Sequence, residues 1–239
     1  MTDRLPRPAA VLFDLDGTLV DTVPTRIEAW ARVFVEFGIP ADRDRLATLI
    51  GVDGRRLARE VGTLAGRTID DELAEAIDKR CGELYEGLNP DPRPVPGVAA
   101  LVAALEAAAI PWAIATSSRR EQVGASVRAL GLAHEPTIVD GSHVEHAKPE
   151  PDLLLLGAKE LGINPTSCWY VGDSTWDMAA AVAAGMVPIG VTAGAAVSAE
   201  ALMGAGAAVV VESLAALVGP VRLDGPGCLD WTNAASVRQ

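Results

Sequence analysis

Hydrophobic residues fall in two rhythms along this chain, and the change of rhythm divides it. Residues 10 to 21, AVLFDLDGTLVD, open as an apolar run that reads as a strand and stops abruptly at two carboxylates, Asp14 and Asp16. From 24 to 37 the apolar side chains recur at helical spacing, through Ile27, Trp30, Ala31, Phe34 and Phe37, until Gly38 ends the run. Further helical patterns cover 42–49, 53–65 and 70–87, and no strand pattern lies between 21 and 90. A stiff proline-rich stretch, NPDPRPVPG at 89–97, closes this block.

Beyond residue 97 the rhythm alternates. Helices are predicted over 98–109, 119–130, 152–161, 176–184 and 197–204, each followed by a short apolar run, at 112–115, 137–139, 168–171, 187–191 and 207–211. A last helix is predicted near 213–218, and 220–239 reads as a loosely docked tail. Alternation of this kind predicts an α/β fold with a doubly wound parallel sheet. The expected division is an α/β core of residues 1–20 and 91–239, with an all-helical insertion over 21–90. In such sheets ligands bind beyond the carboxyl ends of the strands, where the strand order reverses.

Composition narrows the classes of function. Net charge is −12, from 32 acidic against 20 basic residues, and no basic cluster relieves it, so nucleic acid is not an expected partner. Residues 178–211 carry Glu200 as their sole charge, yet Gly185, Pro188, Gly190, Gly194, Gly204 and Gly206 break them into pieces. A membrane span needs about 20 uninterrupted apolar residues, so a buried βαβ segment is the better reading and no membrane partner is expected. MTDRLPRPAA lacks the apolar stretch of a secretory signal, and Cys81, Cys168 and Cys228 show no CxxC pairing; both suit a reducing cytoplasm.

Polar clusters stand where the apolar runs stop. Asp14 and Asp16 leave the same side of a strand end, and two like charges at that range repel unless a cation or a shared proton lies between them. Thr116, Ser117 and Ser118 follow WAIA, where hydroxyls and free amides before a helix can hold anionic oxygens. Lys148 lies in HAKPEPD, on a turn restrained by prolines. Asp173 and Asp177 in YVGDSTWD are four apart, on one side of a loop entering a helix. Singly, these residues also fit turn caps, helix N-caps or a solvated lysine. All of them together, each at a strand end, suit phosphoryl transfer.

DLDGT at 14–18, Thr116, Lys148 and GDSTWD at 172–177 resemble the four motifs of the haloacid dehalogenase superfamily of phosphotransferases. The resemblance spans nearly the whole chain and implies a Rossmann-like core with a helical cap over 21–90. It implies that Asp14 attacks phosphorus and forms an aspartyl-phosphate, while Asp16 moves protons at the leaving oxygen and ligates a metal through its backbone carbonyl. Asp173 would ligate the metal directly, and Asp177 would ligate it through water or orient it. Thr116, Ser117 and Lys148 would hold the phosphoryl oxygens. Hard oxygen donors without a His or Cys cluster point to Mg2+. His143 and His146 have no cysteine or third histidine beside them and read as loop residues, and Trp176 reads as packing.

The expected reaction is hydrolysis of a small phosphorylated metabolite, either a phosphoglycolate-like acid or a sugar phosphate. A sugar-phosphate mutase is the alternative, but mutases of this superfamily resemble one another in a first-cap-helix histidine, and Arg26 stands at that position here. A receiver-like signalling module or a catalytically silent relative is the alternative of another class. The long helical insertion disfavours the first, and the full motif set disfavours the second. Arg55, after the turn Ile50–Gly54, and Arg26 are the candidate specificity residues; they lean toward an anionic substrate.

Overall fold

The computed structural model describes residues 5–218, so Cys228 and the tail expected over 220–239 lie outside the described residues. Six strands form one parallel sheet: β1 (Ala10–Phe13), β2 (Trp112–Ala115), β3 (Thr137–Val139), β4 (Cys168–Gly172), β5 (Val187–Val191) and β6 (Val209–Val211), in the order β3-β2-β1-β4-β5-β6. The order reverses between β1 and β4, which opens a crevice at their carboxyl ends. Phe13 pairs with Ile114 on one side and Val171 on the other, so the ends of β2, β1 and β4 are level. That register sets Asp14, Thr116 and Asp173 on adjoining strand ends.

The central strands are buried on both faces, as continuous apolar runs in a parallel sheet require. Val11, Phe13, Trp169 and Val171 point into one apolar cluster, shared with α5 (Val98–Ala107) and the start of α6 (Arg120–Ala129). Ala10, Leu12, Cys168 and Tyr170 point into the other, packed by α7 (Asp152–Glu160) and α8 (Thr175–Ala183). A short α9 (Ala199–Gly204) leads to β6. The segment expected as a last helix is instead one 3-10 turn, Leu214–Leu217. Four residues ahead of the Gly219–Pro220 pair in the sequence are too few to repay the nucleation of an α-helix.

Four helices occupy the insertion: α1 (Val23–Glu36), α2 (Arg43–Leu49), α3 (Gly54–Leu64) and α4 (Asp71–Leu88). They bury an apolar cluster of their own, in which Trp30 stacks on Phe34 and Val33, Leu57, Ile77 and Tyr85 interlock. Asp42, Asp53 and Asp70 cap the last three of these helices by accepting from backbone N–H groups, as the sequence order of Asp before each apolar stripe suggests. The two passages of chain between this block and the sheet run side by side. Asp21 N–H donates to the Arg93 carbonyl at 2.8 Å, and Val95 N–H to the Leu19 carbonyl at 2.9 Å. Among the described residues no helix is long and apolar enough to cross a membrane.

Candidate functional site

Asp14 extends β1 by one residue, its N–H donating to the Val171 carbonyl at 2.9 Å, so its carboxylate emerges at the crevice. Gly17 then turns the chain at φ +83°, and a methyl there would overlap the Asp173 carboxylate; both facts call for glycine. Thr18, held by the same turn, donates to Asp173 Oδ1 at 3.0 Å.

Lys148 is fully buried and reaches two of the acids. Its Nζ lies 2.5 Å from Asp14 Oδ1 and 2.9 Å from Asp177 Oδ1, over the ring of Tyr170 at 5.3 Å. Burial works against its charge, but Asp14 and Asp177 overcome this and hold the ammonium above its ordinary pKa. Asp177 is fixed by a reciprocal cap at the start of α8, where Ser174 N–H and Oγ donate to Asp177 Oδ2 at 3.0 and 2.7 Å, and by Tyr170 OH at 3.0 Å from Oδ1.

Asp14, Asp173 and Asp177 are all buried, and one oxygen from each lies within 4.8 Å of the others. Burial, and then the charges of Asp177 and Asp14, push Asp173 well above the usual carboxylate range. Burial likewise raises Asp14 to about 7 although Lys148 pulls it down. One ammonium does not neutralise three carboxylates, and the donors are all hard oxygens, so the group fits a small divalent cation of the Mg2+ type. Among the described residues it is the one cluster of three such ligands. The Asp16 carboxylate is not part of it, and His143 and His146 pair separately, with Asp140 and Asp152.

Asp16 faces the helical block instead. Thr22 Oγ1 at 2.6 Å and Tyr85 OH at 3.1 Å donate to its Oδ1, while Ser118 Oγ at 2.9 Å and Arg26 Nη2 at 2.8 Å donate to Oδ2. Burial would raise its pKa, but Arg26 and the hydroxyls hold the carboxyl below its ordinary value. The guanidinium carbon of Arg26 lies over the Tyr85 ring, 3.4 Å from its centroid, and Arg26 also donates to Ser118 Oγ at 2.8 Å. Thr22 and Tyr85 are absent from the residues singled out by sequence. Tyr85 is separated from Asp16 by 69 positions, and only the packing of α4 brings it there.

A cavity of about 360 Å³ lies between the strand ends and the helical block. Asp14, Asp16, Thr116 and Ser117 form its floor, and Arg26, Arg55, Trp30 and the turn Ile50–Gly54 belong to its wall. Of the buried acidic cluster, Asp14 is the member that reaches the cavity. Thr116 Oγ1 accepts from Ser118 N–H at 3.1 Å, which leaves its own hydrogen to donate. Ser117 Oγ donates to the Gly51 carbonyl at 3.0 Å, and Trp176 Nε1 to the Thr48 carbonyl at 2.9 Å, tying the sheet side to the helices. Glu75, Asp78 and Arg119 also line the cavity, a group that the sequence gives no local sign of.

Residues 11–191 match the family model of the haloacid dehalogenase-like hydrolases. The hexitol phosphatase A of Escherichia coli is 36% identical over 184 residues, covering 76% of this chain and 82% of its own length. The fructose-1-phosphate phosphatase of the same organism is 32% identical over 188 residues, 75% of this chain and 94% of its own. A crystal structure of a hydrolase from Pseudomonas syringae superposes with a TM-score of 0.82 at 32% identity, over 86% of this chain and 94% of that one.

Proposed function

The chain belongs to the haloacid dehalogenase-like hydrolases, and on that premise we propose that it is a Mg2+-dependent phosphatase hydrolysing the monoester of a small phosphorylated metabolite. The observation that carries this reading is Asp14: a buried carboxylate on the cavity floor, 2.5 Å from the Lys148 ammonium and within 4.8 Å of two further carboxylates. The names of two of the similar proteins, a fructose-1-phosphate phosphatase and a hexitol phosphatase, support a phosphorylated sugar or polyol as substrate.

Asp14, Asp173 and Asp177, with the backbone carbonyl of Asp16, would hold Mg2+. When bound, the ion offsets the repulsion between the carboxylates and the substrate dianion and withdraws charge from the phosphoryl oxygens. Lys148 and the Thr116 hydroxyl hold those oxygens, and Lys148 also fixes the direction of Asp14 Oδ1. The free oxygen of Asp14 attacks phosphorus, forming the acyl-phosphate bond as the bond to the ester oxygen breaks with its electron pair. Asp16 gives that oxygen a proton. In the second half, a water gives its proton back to Asp16 and attacks the same phosphorus, releasing phosphate and restoring Asp14.

Arg26 and the surrounding hydroxyls favour the anionic form of Asp16, so the proton that Asp16 gives to the leaving oxygen is taken up from solvent before that step and returned to solvent when the cycle closes. The paired passages at 19–21 and 93–95 are the place where the helical block would swing to admit substrate and water, which makes it a cap.

Purified protein incubated with a panel of sugar phosphates, polyol phosphates and 2-phosphoglycolate should release inorganic phosphate over many turnovers with Mg2+. Chelation should lower the rate by about 100-fold or more. No turnover of any ester, or equal turnover in chelator, would overturn the reading; a receiver-like module would give the first of these results.

A further inference from the structure

Three arginines line the cavity, and each already has a carboxylate partner. Arg26 is bound to Asp16 at 2.8 Å, and Arg55 lies 3.4 Å from Asp53. Arg119, at the start of α6, grips both oxygens of Glu75 at 2.7 Å and lies 3.0 Å from Asp78 Oδ2. The remaining ionisable side chain of the upper wall is Glu121, another acid. A carboxylate or second phosphate on the leaving group would therefore meet paired guanidiniums and an excess of negative charge. The expectation that Arg26 and Arg55 favour an anionic substrate takes no account of their partners.

Asp78 differs from the other acids of the wall. It is 9% exposed, whereas Glu75 is at the surface of the same helix, and Gly54 packs directly against its Oδ1, where a methyl group would overlap it. Arg119 holds Oδ2 from the sheet side, with Asp53, Glu75 and Arg26 as the other charges acting on the group. Among the described residues no hydrogen bond reaches Oδ1. A buried carboxylate of the cavity wall, held by a cation at one oxygen and with an unused acceptor at the other, is built to receive a donor.

We propose that Asp78 is the specificity-determining residue of this cavity, its Oδ1 accepting a hydrogen bond from a hydroxyl of an uncharged, polyhydroxylated leaving group. Arg119 is the positioning residue that aims it. The proposal rests on the phosphatase reading above and narrows its substrate from phosphorylated metabolites in general to phosphate esters of sugars or polyols. Discrimination arises because an ester without that hydroxyl leaves Asp78 Oδ1 desolvated and unpaired, and an anionic one adds repulsion.

The test compares kcat/KM for sorbitol 6-phosphate, hexyl phosphate and 2-phosphoglycolate, in the parent and in Asp78→Ala and Asp78→Asn. The parent should prefer sorbitol 6-phosphate to both others. Asp78→Ala should lower the sorbitol-to-hexyl ratio by about 10- to 100-fold, through KM more than kcat. Asp78→Asn, which is isosteric and keeps one acceptor oxygen, should retain more of that ratio and gain relative rate on 2-phosphoglycolate. Because ratios are read within one preparation, a partly unfolded sample does not distort them. If the parent prefers 2-phosphoglycolate, or both variants leave the sorbitol-to-hexyl ratio unchanged, the proposal fails while the phosphatase reading stands. If the parent hydrolyses none of these or the panel esters, it is the phosphatase reading that fails.

Discussion

Asp14→Asn is expected to abolish turnover, by about 10,000-fold or more, while leaving the fold intact. The amide keeps an oxygen for Lys148 Nζ, which lies 2.5 Å from Asp14 Oδ1, and it fills the same volume beside Val171 and Asp173. What it loses is the anionic oxygen proposed to attack phosphorus. Asparagine also removes one negative charge from the cluster of Asp14, Asp173 and Asp177, so the variant should unfold no more readily than the parent without metal. Steady-state phosphate release and circular dichroism check the two halves of this expectation. Undiminished turnover of the esters that the parent hydrolyses would remove Asp14 from the reaction.

Lys148→Met should cost both stability and rate, because it removes the cation that Asp14 and Asp177 share in a fully buried position. Deleting one partner of a buried ion pair leaves uncompensated charge and costs about 3–5 kcal/mol, equivalent to about 10 °C in the unfolding midpoint of a domain this size. The loss should be largest in chelator and shrink as Mg2+ is added, since a divalent cation takes over part of the neutralisation. Turnover should fall by about 100- to 1,000-fold, as when one oriented donor to a developing charge is removed. Lys148→Arg should not rescue it, because the larger planar group has no room beside the Tyr170 ring, 5.3 Å from Nζ. A variant that unfolds at the parent's temperature in chelator would contradict the role given to this ion pair.

Much of the sheet is legible in the sequence because its strands are bounded by sharp punctuation. The runs at 112–115, 137–139 and 187–191 coincide with β2, β3 and β5, each ended by a polar or glycine-containing turn. Asp14, Thr116 and Asp173 come together for a related reason: each directly follows an apolar strand, and level strand ends in a parallel sheet make neighbours of such residues whatever the connections between them. Lys148 reaches the same place from the loop after β3, where proline and small residues bring it beneath Asp14.

The surroundings of Asp16 and the upper cavity are not legible in that way. Tyr85 lies 69 positions from Asp16, and Glu75 lies 44 from Arg119; both meet because α4 packs beside α1 and α6, a tertiary choice that leaves no local periodic sign. The arginines show the same limit. A sequence displays Arg26 and Arg55 as charges free to bind an anion, but a charge's chemistry depends on its partner. Here the partners are Asp16 and Asp53. Helix ends also shift by a residue or two, as at α9, where Ser198 caps the helix by accepting from Ala201 N–H and delays its start to Ala199.

The central claim is that the phosphoryl group passes through Asp14, and rapid quenching tests it most directly. Enzyme mixed with a slight excess of its best ester and Mg2+, stopped in acid within the first turnover and digested, should yield the peptide containing Asp14 heavier by one phosphoryl group. The modification should decay as phosphate appears, and it should be absent from Asp14→Asn. Phosphate released at full rate with no phosphoryl group on Asp14 at any time, or the same modification on another residue, would contradict the account.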